Sequence, residues 1–98
     1  MIIGIGVDIE SIERHRKMPE RVKQRFIERV LTPNEREYCK RLVDPHPCIM
    51  ARFCVKEAFV KSLGIKTPWS IPFKNLEVIG RPPRVKVTGK ALEILEEK

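Results

Sequence analysis

The sequence predicts an α+β domain in which helices fill most of the first two thirds and short strands lie towards both ends. Isoleucine and valine alternate with period two over residues 2–10, which is typical of a strand. Apolar residues at helical spacing occupy much of residues 12–63, and a second alternation covers residues 76–87. The 98 residues form a single domain, 1–98, because no linker, repeat or low-complexity tract divides them.

The predicted first strand has one crowded face and one bare face. Its isoleucine and valine side chains alternate with Gly4, Gly6 and Asp8. Since glycine has no side chain, a helix or a ligand can lie close to the bare face, with Asp8 at the edge of that space. The two glycines do not form a dinucleotide-binding fingerprint, because Val7, Asp8 and Ile9 follow Gly6 and the third glycine is absent.

The next segment is basic and amphipathic, and it predicts short helices. Residues 12–31 are rich in arginine and lysine with apolar residues between them, and Pro19 divides them into two helices. Thr32 is placed as the N-cap of a third helix, with Glu35 as its capping-box acid. We expect this third helix to run to about Leu42.

The longest and most apolar predicted helix covers residues 48–63, and we expect it to be the central helix of the fold. Residues 44–47 contain two prolines and are expected to form a loop before this helix. Gly64 is expected to end it, and residues 65–73 are predicted to be a loop.

The last part of the sequence predicts a hairpin and a short helix. Apolar residues alternate at 76–78 and again at 85–87, on either side of a glycine- and proline-rich turn at residues 80–83. Residues 90–97 then have the composition of a final short helix. The sheet of this protein is therefore expected to be small.

The net charge of +7 and the pI near 9.7 favour an acidic partner. Charge alone does not choose between a nucleic acid, a phosphorylated small molecule and an acidic protein. No apolar run approaches the roughly 20 residues that a bilayer requires, and no charged leader precedes the apolar N-terminus. This N-terminus is therefore interpreted as a strand of a cytoplasmic protein. Because Cys39, Cys48 and Cys54 cannot all pair within one chain and have no CxxC spacing, we expect reduced structural thiols.

Two carboxylates lie in elements that are otherwise apolar or built of small residues. Taken singly, Glu57 is explained by an ion pair with Lys61 one turn later, and Asp8 by its place at a strand end. If the long helix packs on the glycine face, Asp8 and Glu57 meet and offer Mg²⁺ two hard oxygen ligands. At least two of Arg52, Lys56 and Lys61 on the same helix could then flank the acids and bind phosphate, although Lys56 fits a solvated basic face equally well.

Two longer segments occur together: GIGVDIESIER at residues 4–14 and RFCVKEAFVKSLG at residues 52–64. They resemble the two leading motifs of the holo-acyl-carrier-protein synthases, which are 4'-phosphopantetheinyl transferases. LTPNE between these segments and FKNLEVIGRPPRVKVTGKALEI after them extend the resemblance over nearly the whole chain. It implies a phosphopantetheinyl transferase-like fold, in which a small antiparallel or mixed sheet packs against a long central helix.

The resemblance also implies a reaction and a site. Asp8 and Glu57 would bind Mg²⁺, and 4'-phosphopantetheine would pass from coenzyme A to a serine of apo acyl carrier protein, in fatty acid synthesis. Glu57, Asp8 and Lys61 would be the catalytic residues, with the base for the serine proton left open between Glu57 and a metal-bound water. The coenzyme site would contain Arg52, Phe53, Lys56, Lys61 and Gly64.

An acidic carrier protein would dock on the basic segment of such a family member. The family is also trimeric, with sites between subunits, which suits a chain too short to bury a large core. We therefore expect a homotrimer with acyl carrier protein and coenzyme A as partners, and no membrane or nucleic acid. The docking residues would be Arg14, Met18, Arg21, Arg25, Phe26 and Arg29.

Family members continue past the position of Leu95 with a strand bearing a Ser-x-[Ser/Thr]-His motif and a further strand. This chain ends at Lys98, and its histidines, His15 and His46, lie far upstream. We therefore expect a domain incomplete at its C-terminus, and one alternative is an inactive family member that only binds coenzyme A or carrier protein. A small basic nucleic-acid-binding protein is a second alternative, supported by charge alone because the aromatic residues show no stacking pattern.

Overall fold

A computed structural model describes residues 9–66, 70–80 and 84–97 of the chain. Over these ranges the architecture is α+β, as predicted, with several helices and one two-stranded antiparallel sheet. None of the helices in these ranges is long and apolar enough to cross a membrane. In chain order the elements are α1 (Ile9–Arg16), α2 (Glu20–Val30), α3 (Pro33–Lys40), α4 (His46–Ser62), a 3₁₀ turn (Phe73–Asn75), β1 (Leu76–Ile79), β2 (Arg84–Val87) and α5 (Gly89–Glu97).

The division of the basic segment into two helices at Pro19 is confirmed. Helix α1 ends at Arg16, and α2 begins directly after Pro19. The strand predicted over residues 2–10 falls mainly outside the described residues, but its last two residues belong to α1, so the prediction was wrong there. Period-two alternation does not mark where a strand ends, and residues 9–16 contain no glycine or proline to interrupt a helix.

The capping box at the start of α3 is confirmed. The Thr32 hydroxyl accepts a hydrogen bond from the Glu35 N–H at 3.2 Å, and the Glu35 carboxylate accepts one from the Thr32 N–H at 2.9 Å. Two orphan donors of the helix terminus are therefore satisfied. Helix α3 ends at Lys40, slightly before the predicted end at Leu42.

Helix α4 is the longest helix in the described ranges, and it begins earlier than predicted. The loop expected over residues 44–47 is wrong for its last two residues, because α4 starts at His46 and includes Pro47 in its first turn. Proline is tolerated there, since the first N–H groups of a helix have no intrahelical acceptor. Gly64 follows the helix with a φ of 63°, as expected of a glycine that ends a helix.

The predicted hairpin is confirmed, with Leu76 opposite Val87 and Val78 opposite Val85. The final helix is confirmed as α5, which begins at Gly89. The Asn75 side chain, at the end of the 3₁₀ turn, accepts a hydrogen bond from the Ala91 N–H at 3.3 Å. This contact joins the start of α5 to the start of the hairpin.

Helix α4 joins two buried apolar clusters. It packs against α1, α2, α3 and β1. Its first turns enter a cluster with the end of α2 and with α3, and its last turns enter a second cluster with β1 and α5. Phe73 packs against both clusters. The first cluster consists of Val30, Leu31, Cys39, Cys48 and Ile49, and the second of Val60, Leu63, Ile71, Leu76 and Ala91.

The expectation of reduced thiols is wrong for two of the three cysteines. Cys39 in the last turn of α3 and Cys48 in the first turn of α4 form a disulfide, and their Cα atoms are 5.6 Å apart. This separation lies within the range that a disulfide spans. Cys54 is not part of the disulfide. Spacing along the chain could not reveal the pair, because the path of the chain from α3 to α4 brings the two cysteines together.

Candidate functional site

Glu57 and Lys61 form an ion pair on the exposed side of α4. The Glu57 carboxylate lies 3.2 Å from the Lys61 ammonium group. The Glu57 side chain is 45% exposed and the Lys61 side chain 72% exposed, so both groups can reach a ligand. The ion pair considered in the sequence analysis is therefore present, and it leaves both charges at the surface.

Lys56 is next to Glu57 in the chain but lies on the buried side of α4. Its side chain is fully buried, and its ammonium group donates to the Val30 carbonyl and to the Glu35 carboxylate, each at 2.5 Å. Burial lowers the pKa of Lys56, while the hydrogen bond and the charge of Glu35 oppose that shift. Lys56 is thus part of the interior of this chain.

Arg52 lies one turn before Lys56 and faces the same buried carboxylate. Its guanidinium Nε is 3.9 Å from the carboxylate of Glu35. A terminal guanidinium nitrogen donates to the carbonyl and the Sγ of Cys48, at 3.3 and 3.0 Å, and the group lies over the Tyr38 ring. The side chain is 17% exposed. Arg52 and Lys56 therefore point away from the exposed pair of Glu57 and Lys61.

Glu35 is the residue whose importance the sequence reasoning missed. It was recognised as a capping-box acid, yet its side chain is almost completely buried and also contacts Lys56, Arg52 and the N–H of Val78. The feature of the sequence that could have indicated this role of Glu35 is Lys56. A lysine in the most apolar helix requires a buried acid if it faces the core.

Phe53 and Gly64 occupy different surroundings. Phe53 is half-buried, with its ring 5.2 Å from the Phe26 ring and 5.8 Å from the Phe73 ring. Gly64 is exposed beyond the end of α4, where its positive φ favours the absence of a side chain. The residues assigned to the coenzyme site thus lie in different places. Arg52 and Lys56 face the interior, Phe53 packs among phenylalanine rings, and Lys61 and Gly64 are exposed near the end of α4.

Asp8 lies outside the described residues, directly before α1. Helix α1 packs against α4, the helix that carries Glu57. The chemistry of Glu57 fits a magnesium ligand, because it is a half-exposed carboxylate beside a lysine suited to phosphate. Within the described part of the chain no cluster of three or more metal-ligating side chains occurs.

The basic segment has its arginines at the surface and its phenylalanine turned inward. Arg21, Arg25 and Arg29 follow one another at single-turn spacing along α2 and are exposed. Phe26 is half-buried between His15 and Phe53, with ring distances of 5.3 and 5.2 Å. Of the remaining residues assigned to docking, Arg14 in α1 is exposed and Met18 is half-buried.

A histidine pair, in which His15 is buried and His46 is half-buried, joins α1 to the start of α4. The Nδ1 atoms of His15 and His46 are 2.9 Å apart. Burial lowers the pKa of His15 to about 4, and the positive charges of His46 and Lys23 add to this shift. Burial likewise lowers the pKa of His46.

An ion pair beside the histidines makes a second connection between α1 and the residues before α4. The Arg16 guanidinium donates to both carboxylate oxygens of Asp44, at 2.8 and 3.2 Å. This hydrogen bonding lowers the pKa of Asp44. The two contacts therefore join α1, the helix that follows Asp8, to the start of α4 and the residues before it.

Comparison with known proteins gives a family match over most of the chain. The model of the 4'-phosphopantetheinyl transferase superfamily matches residues 4–95. The holo-[acyl-carrier-protein] synthase of Syntrophus aciditrophicus is 40% identical over 101 residues, covering 100% of this chain and 79% of that protein. The corresponding synthase of Chlamydia felis is 42% identical over 83 residues, covering 85% of this chain and 68% of that protein.

A third holo-[acyl-carrier-protein] synthase, from Trichlorobacter lovleyi, is 35% identical over 102 residues, which cover 100% of this chain and 80% of that protein. The matched residues 4–95 include both motif segments and the whole of α4. The chain therefore belongs to the 4'-phosphopantetheinyl transferase superfamily.

Proposed function

We propose that this chain transfers the 4'-phosphopantetheine group of coenzyme A to a serine of an acyl carrier protein. The proposed cofactor is Mg²⁺, and the proposed role of the reaction is in fatty acid synthesis. The observation that carries the proposal is the family match over residues 4–95, which includes the exposed Glu57 and Lys61 of α4. The similar proteins of Syntrophus aciditrophicus and Chlamydia felis are named for the synthesis of holo-acyl-carrier protein, which supports the same reaction here.

In the proposed reaction the serine oxygen attacks the β-phosphorus of coenzyme A. The bond between that phosphorus and the bridging oxygen breaks, adenosine 3',5'-bisphosphate leaves, and the serine proton passes to a base. Among the chain's own groups, we assign that base to Glu57, whose carboxylate is half-exposed. The Lys61 ammonium group, one turn later, would bind a phosphate oxygen and orient the pyrophosphate.

Asp8 and Glu57 would hold Mg²⁺, which when bound neutralises the negative charge on the pyrophosphate and the leaving group. Lys61 and the exposed Gly64 would contact the phosphates directly. Of the other residues assigned to the coenzyme site, Phe53 would contact the coenzyme, whereas Arg52 and Lys56 face Glu35 and would support the site from the interior.

The carrier protein would dock on the α1 and α2 surface, where exposed arginines suit an acidic partner. The proposal also includes a homotrimer with sites between subunits, a sheet packed against α4 as the central helix, and a cytoplasmic location. The residues proposed for docking are Arg14, Met18, Arg21, Arg25, Phe26 and Arg29.

Intact-mass measurement tests the proposed reaction. The chain is incubated with apo carrier protein, coenzyme A and Mg²⁺, and a carrier whose acceptor serine is replaced by alanine serves as the control. We expect the unmodified carrier, and not the control, to gain the mass of one phosphopantetheine. An unchanged mass with measurable coenzyme A binding would instead identify an inactive family member, and an unchanged mass without binding would reject both.

A further inference from the structure

Glu35 joins three elements through one buried carboxylate. One of its oxygens accepts hydrogen bonds from the Thr32 N–H at 2.9 Å and from the Lys56 ammonium group at 2.5 Å. The other accepts one from the Val78 N–H in β1 at 3.0 Å. The Arg52 guanidinium is a further neighbour at 3.9 Å. A single side chain therefore connects the start of α3, the middle of α4 and the edge of β1.

The contact with Lys56 restricts how α4 can lie. The ammonium group of Lys56 is fully buried, and its partners are the Glu35 carboxylate and the Val30 carbonyl. An unpaired ammonium group in the interior is costly, so without Glu35 the helix would tend to turn until Lys56 reached water. Arg52 approaches the same carboxylate from one turn earlier, so α4 contacts Glu35 at two positions along its axis.

The orientation of α4 determines where Glu57 points. Consecutive residues of a helix project about 100° apart, so the buried Lys56 places Glu57 on a defined neighbouring side. Lys61, one turn later, shares that side and pairs with Glu57 at 3.2 Å. We propose that Glu35 is a positioning residue for the transferase site, acting through Lys56 to hold the Glu57–Lys61 pair in its working orientation. The catalytic part of this inference rests on the proposed function.

The first test is Glu35→Gln, with Ile71→Ala as the matched control. Ile71 is buried and belongs to none of the three elements, so its variant lowers stability without touching Glu35. We expect folded Glu35→Gln to lose about 10- to 100-fold in kcat, because small misplacements at a reacting centre have effects of that size. Its KM for the carrier protein should stay within about twofold, since docking is assigned to α1 and α2. Equal kcat values for the folded fractions of the two variants would overturn the proposal.

A second readout does not depend on turnover. The side-chain carboxyl carbon of Glu57 is followed by NMR at one fixed pH, and we expect its chemical shift to change in Glu35→Gln but not in Ile71→Ala. If wild-type protein transfers nothing, the proposed function fails, while this measurement still decides whether Glu35 orients Glu57.

Should Glu35→Gln not fold, Lys56→Met replaces it, because Glu35 then keeps its bonds to Thr32 and Val78. Unchanged Glu57 signals in the folded variant would refute the inference.

Discussion

At the scale of single residues, Glu57 is the group on which the proposed chemistry depends. We expect Glu57→Ala and Asp8→Ala to abolish Mg²⁺-dependent binding of coenzyme A, measured by isothermal titration calorimetry. The free energy of unfolding of Glu57→Ala should change by less than about 1 kcal/mol, because its ion pair with Lys61 is largely exposed. Glu93→Gln, which changes an exposed acid in α5, should bind as wild type does. Undiminished binding by both alanine variants would contradict the assignment.

His15 gives a prediction about pH. Its pKa is lowered from 6.5 to about 4 in the folded chain, so between these values the unfolded chain binds a proton that the folded chain does not. The contribution of the neutral, buried His15 to the free energy of unfolding is therefore fully present above pH 6.5. It is lost as the pH falls towards 4. We expect the free energy of unfolding in urea to fall by about 2 kcal/mol between pH 7.5 and 5.0 from this group. The lowered pKa of His46 acts in the same direction.

His15→Leu is the control for this pH dependence. Its free energy of unfolding should vary less between the two pH values, because the variant lacks the group that binds the additional proton on unfolding. An identical pH dependence in the variant and in wild type would exclude His15 as the cause.

At the scale of elements, the disulfide joins the last turn of α3 to the first turn of α4. Cys39 and Cys48 are 9 residues apart, and closing a loop of this length stabilises a fold by about 2–3 kcal/mol. We expect a reductant to lower the free energy of unfolding by that amount. The double variant Cys39→Ser/Cys48→Ser should not respond to the reductant, and it retains Cys54. A wild-type protein equally stable in both conditions would disprove the stabilising role.

The elements themselves were largely predictable because their signals are local. Pro19 separates α1 from α2, Thr32 and Glu35 begin α3, and Gly64 ends α4. Each of these residues acts on the backbone within a few positions of itself, through a missing donor, a side-chain cap or a positive φ. The start of α4 was less predictable, because Pro47 is compatible both with a loop and with the first turn of a helix.

At the scale of the whole molecule, the charge of +7 should accelerate the encounter with an acidic carrier protein. We expect Arg25→Glu/Arg29→Glu to slow association by about tenfold at low salt, measured by stopped-flow fluorescence, and to reduce its dependence on salt. Arg84→Glu/Lys86→Glu makes the same change of charge in β2, outside the proposed docking surface, and should have a smaller effect. Equal effects of the two double variants would mean that net charge, rather than the α2 surface, governs association.

The sequence by itself determined the succession of elements from α2 to α5, the motifs that place the chain in its family, and the one-turn spacing that allows Glu57 to pair with Lys61. These depend on residues close together in the chain or on the order of motifs along it. Only the tertiary structure decided that Lys56 is buried against Glu35, that Cys39 bonds to Cys48, and that His15 meets His46. Such contacts depend on how α1, α3 and β1 pack around α4, and packing brings together residues whose spacing in the chain carries no sign of their meeting.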